Sequence, residues 1–129
     1  MIERGLIVDE PWISKILAGT KTWEMRSKPT NVRGTVALIR KGSGHVFGVA
    51  KLAGNGPVLD RSNFASHIDK HGIGPDREPG ALSGGWVHPW ILSDIRVLSR
   101  SVRYTHKSGA VIWVKLDRSV SNDIEAQIA

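Results

Sequence analysis

Several short apolar runs, one of them of period two and two of them joined by a glycine-rich turn, set the strongest limit on what this chain can become. Lys21 to Arg26 puts Trp23 and Met25 on one side of an extended chain and Thr22, Glu24 and Arg26 on the other, the pattern of a half-buried strand. Gly5 to Val8 is a short branched apolar run and reads as another strand. Thr35 to Arg40 and His45 to Leu52 are two more, and Lys41-Gly42-Ser43-Gly44 between them predicts a hairpin. Trp86 to Leu98 reads as extended, interrupted at Pro89, and Ala110 to Leu116 as a buried closing strand. Helical spacing occurs in two short places. Asp9 is a candidate N-cap, Glu10 and Pro11 suit a first turn, and Trp12, Ile13, Ile16 and Leu17 follow before Gly19 ends the helix. A second helix is expected from Asp60 to about His71, with Phe64 and Ile68 inward.

The expected fold is therefore α+β and mainly β, with five to seven short strands flanked by two short helices, in a barrel or sandwich. Gly72 to Gly85 holds five glycines and two prolines in fourteen residues and reads as a long loop, either functional or mobile. The residues after Asp117 are polar and are expected to fray. One domain over residues 5–117 with a tail at 118–129 suits a chain of 129 residues.

The sequence has no cysteine, so disulfides and thiolate metal sites are excluded. No apolar run approaches the ~18 residues needed to cross a bilayer as a helix, and Met1-Ile2-Glu3-Arg4-Gly5 lacks the layout of a signal peptide. A cytoplasmic protein with no membrane partner is the expectation; oligomeric state is not readable. Net charge is +6, and the charge is segregated. Lys21 to Lys41 carries six basic residues against one acid, Glu24, while Arg96, Arg100, Arg103 and Lys107 lie in a stretch without acids. Such segregation points to an anionic partner, nucleic acid first.

The ordered set Pro11-Trp12, Leu17-x-Gly19-x-Lys21-x-x-Glu24-x-Arg26, Thr30-x-x-Arg33-Gly34 and Phe47-Gly48-Val49-Ala50-Lys51-Leu52 resembles the ASCH family. So do Trp90-Ile91-Leu92 and Tyr104-x-His106-x-Ser108-Gly109-Ala110-Val111-Ile112-Trp113, which are similar to its small stand-alone bacterial members. The resemblance implies a PUA-like mixed β-barrel with a cleft between barrel and first helix, facing RNA or a nucleotide-like anionic ligand. Relatives of this kind include RNA-binding modules, a ribonuclease and a hydrolase of N4-acetylcytidine. The hydrolase branch uses a motif lysine, a threonine three residues on and a later glutamate. Here the lysine is Lys21, the third position is Glu24 instead of threonine, and the available downstream glutamate is Glu78.

Three readings follow: a binding module for RNA or a nucleotide, a small hydrolase acting on RNA or a modified nucleoside, and a protein-interaction domain using the glycine-rich loop. Lys21 and Glu24 are the candidate catalytic pair. A lysine acts as a base near neutral pH only if burial lowers its pKa. Arg26 suits a phosphate, with Glu24 fixing it. A regular strand sends Lys21 to the face opposite Glu24, so joint action requires Lys21 to lie before the strand or at a bulge. Trp12 is a candidate stacking platform. Arg33, Arg100, Arg103, His106, Lys107 and Ser108 complete the candidate ligand-binding set. Four neutralised phosphates on a single strand correspond to a log–log salt slope of about −3. His67 and His71 have metal-pair spacing but lack both the glutamate of HExxH and a third ligand. No metal and no cofactor are expected.

Overall fold

The computed structural model describes residues 1–129. Six strands, β1 (Arg4–Val8), β2 (Trp23–Arg26), β3 (Gly34–Arg40), β4 (His45–Asn55), β5 (His88–Arg103) and β6 (Trp113–Lys115), form one mixed sheet in the order β2-β5-β4-β3-β1-β6. Only β1 and β3 pair in parallel. Register shifts within β4–β5 bend the sheet, as extra residues in one strand of a pair do. The curl brings distant strands together. Trp90 on β5 stacks on Trp113 of β6 at 5.8 Å, and Arg26 Nη2 on β2 donates to the Ile7 carbonyl on β1 at 2.8 Å. The result is a half-barrel, mainly β, one of the two architectures that the short strands leave open and the one that the family resemblance implies.

Helix α1 (Trp12–Leu17) covers one mouth of the half-barrel with Ile13 and Ile16 fully buried against Leu6, Val8, Leu38 and Leu52. Gly48 allows the close approach, since a Cβ there would stand 2.6 Å from Leu17 Cδ2 and 2.7 Å from the Arg96 carbonyl. A second core, under β2, joins Trp23, Met25, Leu59, Phe64 and Ile73. β2 is consequently covered on both faces, not half-buried as its alternation predicts. No helix is long and apolar enough to cross a membrane.

Four further expectations change. The second helix reduces to a 3₁₀ turn, Ala65–His67, running into α2 (Ile68–His71). The Gly72–Gly85 loop contains α3 (Glu78–Ser83), with proline in its first turn, a helix-start signal that the surrounding glycines obscure. β5 runs through Pro89, which sits second in the strand, where a missing N–H is tolerated. The polar tail is α4 (Arg118–Ile128), whose Val120 and Ile124 are buried in the main core with Val46, Leu98 and Tyr104. Its two apolar positions at i and i+4 fix the helix by docking, which overrides the polarity of its sequence.

Candidate functional site

Helix α1 ends at Gly19, which takes φ +84°, a conformation that a Cβ disfavours. The Gly19 N–H donates to the Ile16 carbonyl at 3.0 Å, and the Thr20 and Lys21 N–H groups both reach the Lys15 carbonyl, at 3.0 and 3.2 Å. This tight reversal sets Lys21 before β2 begins at Trp23, which meets the geometric demand for joint action with Glu24. The Lys21 side chain is 1% exposed. Its Nζ donates to the His71 carbonyl at 2.5 Å and lies 3.6 Å from Glu24 Oε1. Burial lowers its pKa to about 8, against the opposing pull of Glu24, while the charges of Lys15 and Arg26 lower it further. Lys21 is thus a desolvated lysine, the condition that action as a base requires.

Glu24 serves two cations. Its Oε2 accepts from Arg26 Nη2 at 2.8 Å and Nε at 3.1 Å, while Oε1 faces Lys21. Arg26 is further tied to the Ile7 carbonyl and lies 5.4 Å from the Trp90 ring. The three side chains form one wall of a cleft of about 570 Å³. Trp12 on α1, Arg77 just ahead of α3, Ala81 and the 44% exposed Trp86 line other parts of it. Asp9 and Lys41 stand at the remaining end, 3.9 Å apart, beside Val111 and Ile112. Val111 and Ile112 are 73% and 45% exposed because β6 starts only at Trp113, short of the predicted Ala110.

The fold agrees with the comparisons. The sequence model of the ASCH domain matches residues 6–115. The chain belongs to the ASCH domain family. A crystal structure of ASCH from Zymomonas mobilis superimposes on this domain with TM-score 0.74 at 12% identity, over 96% of this chain and 94% of that one. Two single-substitution variants of the same Zymomonas mobilis protein give TM-scores of 0.72 and 0.71, each at 13% identity, the first over 98% of both chains and the second over 96% of this chain and 94% of that one. At such identities the likeness speaks for the fold. No curated protein resembles the chain closely enough to count as a match.

The ASCH cleft gathers Trp12, Lys21, Glu24 and Arg26 from the sequence-predicted set. Trp12 differs from a bare stacking platform, because Lys15, Lys21 and Arg77 lie 5.1, 5.1 and 5.5 Å from its ring centroid. Such cations hold to the face of the indole ring. Arg33 does not join the cleft; its Nη1 folds back onto the Thr30 and Val32 carbonyls at 2.9 and 2.7 Å. Arg100 lies where β5 meets α4, with its backbone bonded to Gln127. Arg103 is exposed opposite His45 in the β4–β5 ladder. Lys107 Nζ lies 3.6 Å from Asp117, and Ser108 is exposed in the turn that follows. His106 lies in a second cavity, with its Nδ1 3.0 Å from the Tyr104 hydroxyl.

The histidine pair separates. His67 stacks on Trp23 at 5.2 Å. His71 is fully buried, its Nε2 2.7 Å from the Phe64 carbonyl while Nδ1 accepts the Ile73 N–H at 2.9 Å. Both ring nitrogens are therefore spent inside the core, in the neutral tautomer that donates from Nε2. Glu78 opens α3 and is not among the side chains lining the cleft. Sequence reading missed Arg77 and Lys41 as cleft residues. Arg77 stands immediately before Glu78-Pro79, and a helix start recognised there would have located it.

Proposed function

We propose that this ASCH domain binds RNA, or a nucleotide-like anionic ligand, in the cleft between α1, α3 and the edge of the half-barrel. The observation that carries the reading is the combination at one cleft of four cations, Lys21, Arg26, Lys41 and Arg77, with two acids, Asp9 and Glu24, and the indoles of Trp12 and Trp86. Its volume, about 570 Å³, lies in the range of small-ligand sites. Phosphate attracts arginine and lysine, and a base supplies the flat surface that an exposed indole stacks against. Trp86 has the open ring for that role; Arg77 and Lys41 carry the less constrained charges.

A second reading, hydrolysis of RNA or of an acylated nucleoside, is favoured by one observation. Lys21 is desolvated, with a pKa of about 8, so a fraction of it is a neutral amine near neutral pH. In that reading Lys21 takes a proton from the attacking hydroxyl or water, Arg26 stabilises the developing oxyanion, and the ammonium, held by Glu24, returns the proton to the leaving ribose oxygen or cytosine amine as the P–O or C–N bond breaks. Equilibrium binding and turnover against single-stranded RNA and N4-acetylcytidine, with Lys21→Met alongside, test both. Salt-sensitive binding without turnover supports the first reading. Turnover that falls by about a hundredfold or more in Lys21→Met supports the second. Absence of binding at low salt overturns both.

A further inference from the structure

A second cavity of about 540 Å³ adjoins the cleft. Ile7, Lys41 and Val111 line both, so the two spaces share a wall. The second is bounded by the Gly42-Ser43-Gly44 turn of the β3–β4 hairpin and by Tyr104, His106 and Ala110. Tyr104 is 7% exposed, and its backbone N–H is fixed to the Gly44 carbonyl at 3.0 Å. Its buried ring belongs to the main core, so the hydroxyl is presented from a rigid base and meets exposed His106 at 3.0 Å. No carboxylate lines this second space. Its polar groups are the Lys41 ammonium, the His106–Tyr104 pair and the turn backbone. The pair offers both donor and acceptor capacity.

We propose that the two cavities form one track for a phosphodiester-linked dinucleotide unit of single-stranded RNA. One nucleoside occupies the cleft of Lys21 and Trp86. The next lies against Tyr104 and His106, and the linking phosphate sits at Lys41, the cation common to both spaces. The inference rests on the proposed nucleotide-binding reading and goes past it, because it excludes a free nucleoside as the full ligand. Each cavity lies in the size range for one small-ligand unit. Lys41 is 63% exposed with only a 3.9 Å contact to Asp9, so it is free to turn to a phosphate at little cost. The charge pattern agrees with the assignment. The cleft holds two carboxylates, Asp9 and Glu24, whereas the space beyond Lys41 holds none, and the linking phosphate is the one anionic group that both units share.

Titration calorimetry on the whole chain tests this with three probes: nucleoside 5′-monophosphates, dinucleoside monophosphates, and the same dinucleosides carrying a neutral methylphosphonate link. The dinucleoside monophosphate is expected to bind about tenfold tighter than the mononucleotide, and the methylphosphonate to lose that advantage. His106→Ala and, separately, Lys41→Met are expected to bring the ratio of the two affinities toward one. Both side chains are exposed, and an unchanged thermal midpoint confirms that the variants fold. Lys21→Met is expected to weaken both probes. Equal affinity for mononucleotide and dinucleotide, with both sensitive to Lys21→Met, overturns the track and leaves the cleft reading standing. A dinucleotide advantage that survives both His106→Ala and Lys41→Met also overturns it. No binding of any probe overturns the track and the reading together.

Discussion

The amine of Lys21 stands 3.6 Å from Oε1 of Glu24, and the two side chains are 1% and 7% exposed. They reach this position by different routes. Lys21 arrives from the reversal at Gly19, Glu24 from β2, and the His71 carbonyl fixes the amine between them. A buried ammonium is costly unless it is paired and hydrogen-bonded, and here both conditions hold.

Alkaline pH is expected to stabilise the fold through Lys21. The folded-state pKa of Lys21 is about 8, below its ordinary value of 10.5. Between those values the unfolded chain binds more protons, so unfolding free energy rises with pH across that window. Below pH 8 the cost of the charged amine is fully present. Relative to Lys21→Met, the parent protein is expected to gain up to ~3 kcal/mol between about pH 7 and 10.5. Urea unfolding of both proteins at several pH values measures it; parallel curves would refute it.

Glu24→Gln removes the carboxylate that raises the Lys21 pKa. The pKa of Lys21 is expected to fall below 8, read as the midpoint of its NMR titration or of any activity that depends on it. The same change takes away the negative charge that pairs with Arg26, although an amide oxygen can still accept from it. Breaking a buried pair by removing one partner costs about 3 kcal/mol, which denaturant unfolding reads directly.

His71 should mark the acid limit of stability. It is buried and held neutral, with its pKa lowered from 6.5 chiefly by desolvation. The unfolded chain therefore binds the proton first on acidification, and stability falls as pH drops below 6.5. Protonation also forfeits the Ile73 N–H bond to Nδ1. Unfolding measured at pH 7.5 and 5 is expected to show this loss, and His71→Gln is expected to flatten it.

Salt dependence separates cleft cations from scattered ones. Lys21 and Arg26 are tied to Glu24, which leaves Arg77 and Lys41 for phosphates. Two neutralised phosphates on a single strand give a log–log slope of about −1.4, shallower than the four contacts that the sequence suggests. Arg77→Ala is expected to reduce that slope by about half. Arg33→Ala and Arg100→Ala are expected to leave it alone, because their side chains lie outside the cleft lining.

Short apolar runs carry the strands legibly. β1, β3 and β4 lie where the branched apolar runs and the Lys41–Gly44 turn put them. α4 was illegible because its docking rests on a few apolar residues, Val120 and Ile124 with Ile128 beside them, spread through a mostly polar run. At the site, Lys21, Glu24 and Arg26 were legible as a cluster, and their relative faces as a question with a definite answer. The burial of Lys21 was not, since it depends on the carbonyls of His71 and Gly72, some fifty residues away, which accept from Lys21 and Lys15. Arg33 and Arg100 belong to basic stretches in sequence, but strand direction and the return of α4 carry them off the cleft.

One carboxylate shared by two cations gives the cleft wall a single net positive charge while Lys21 keeps its proton, and none once the proton is lost. An anion seated against that wall favours the protonated form, and the coupling works in both directions. Near pH 8 the arrival of a phosphodiester should therefore pull a proton from the buffer into Lys21. Calorimetric titration in buffers of different ionisation enthalpy would count it: the domain would take up its ligand and a hydrogen ion together.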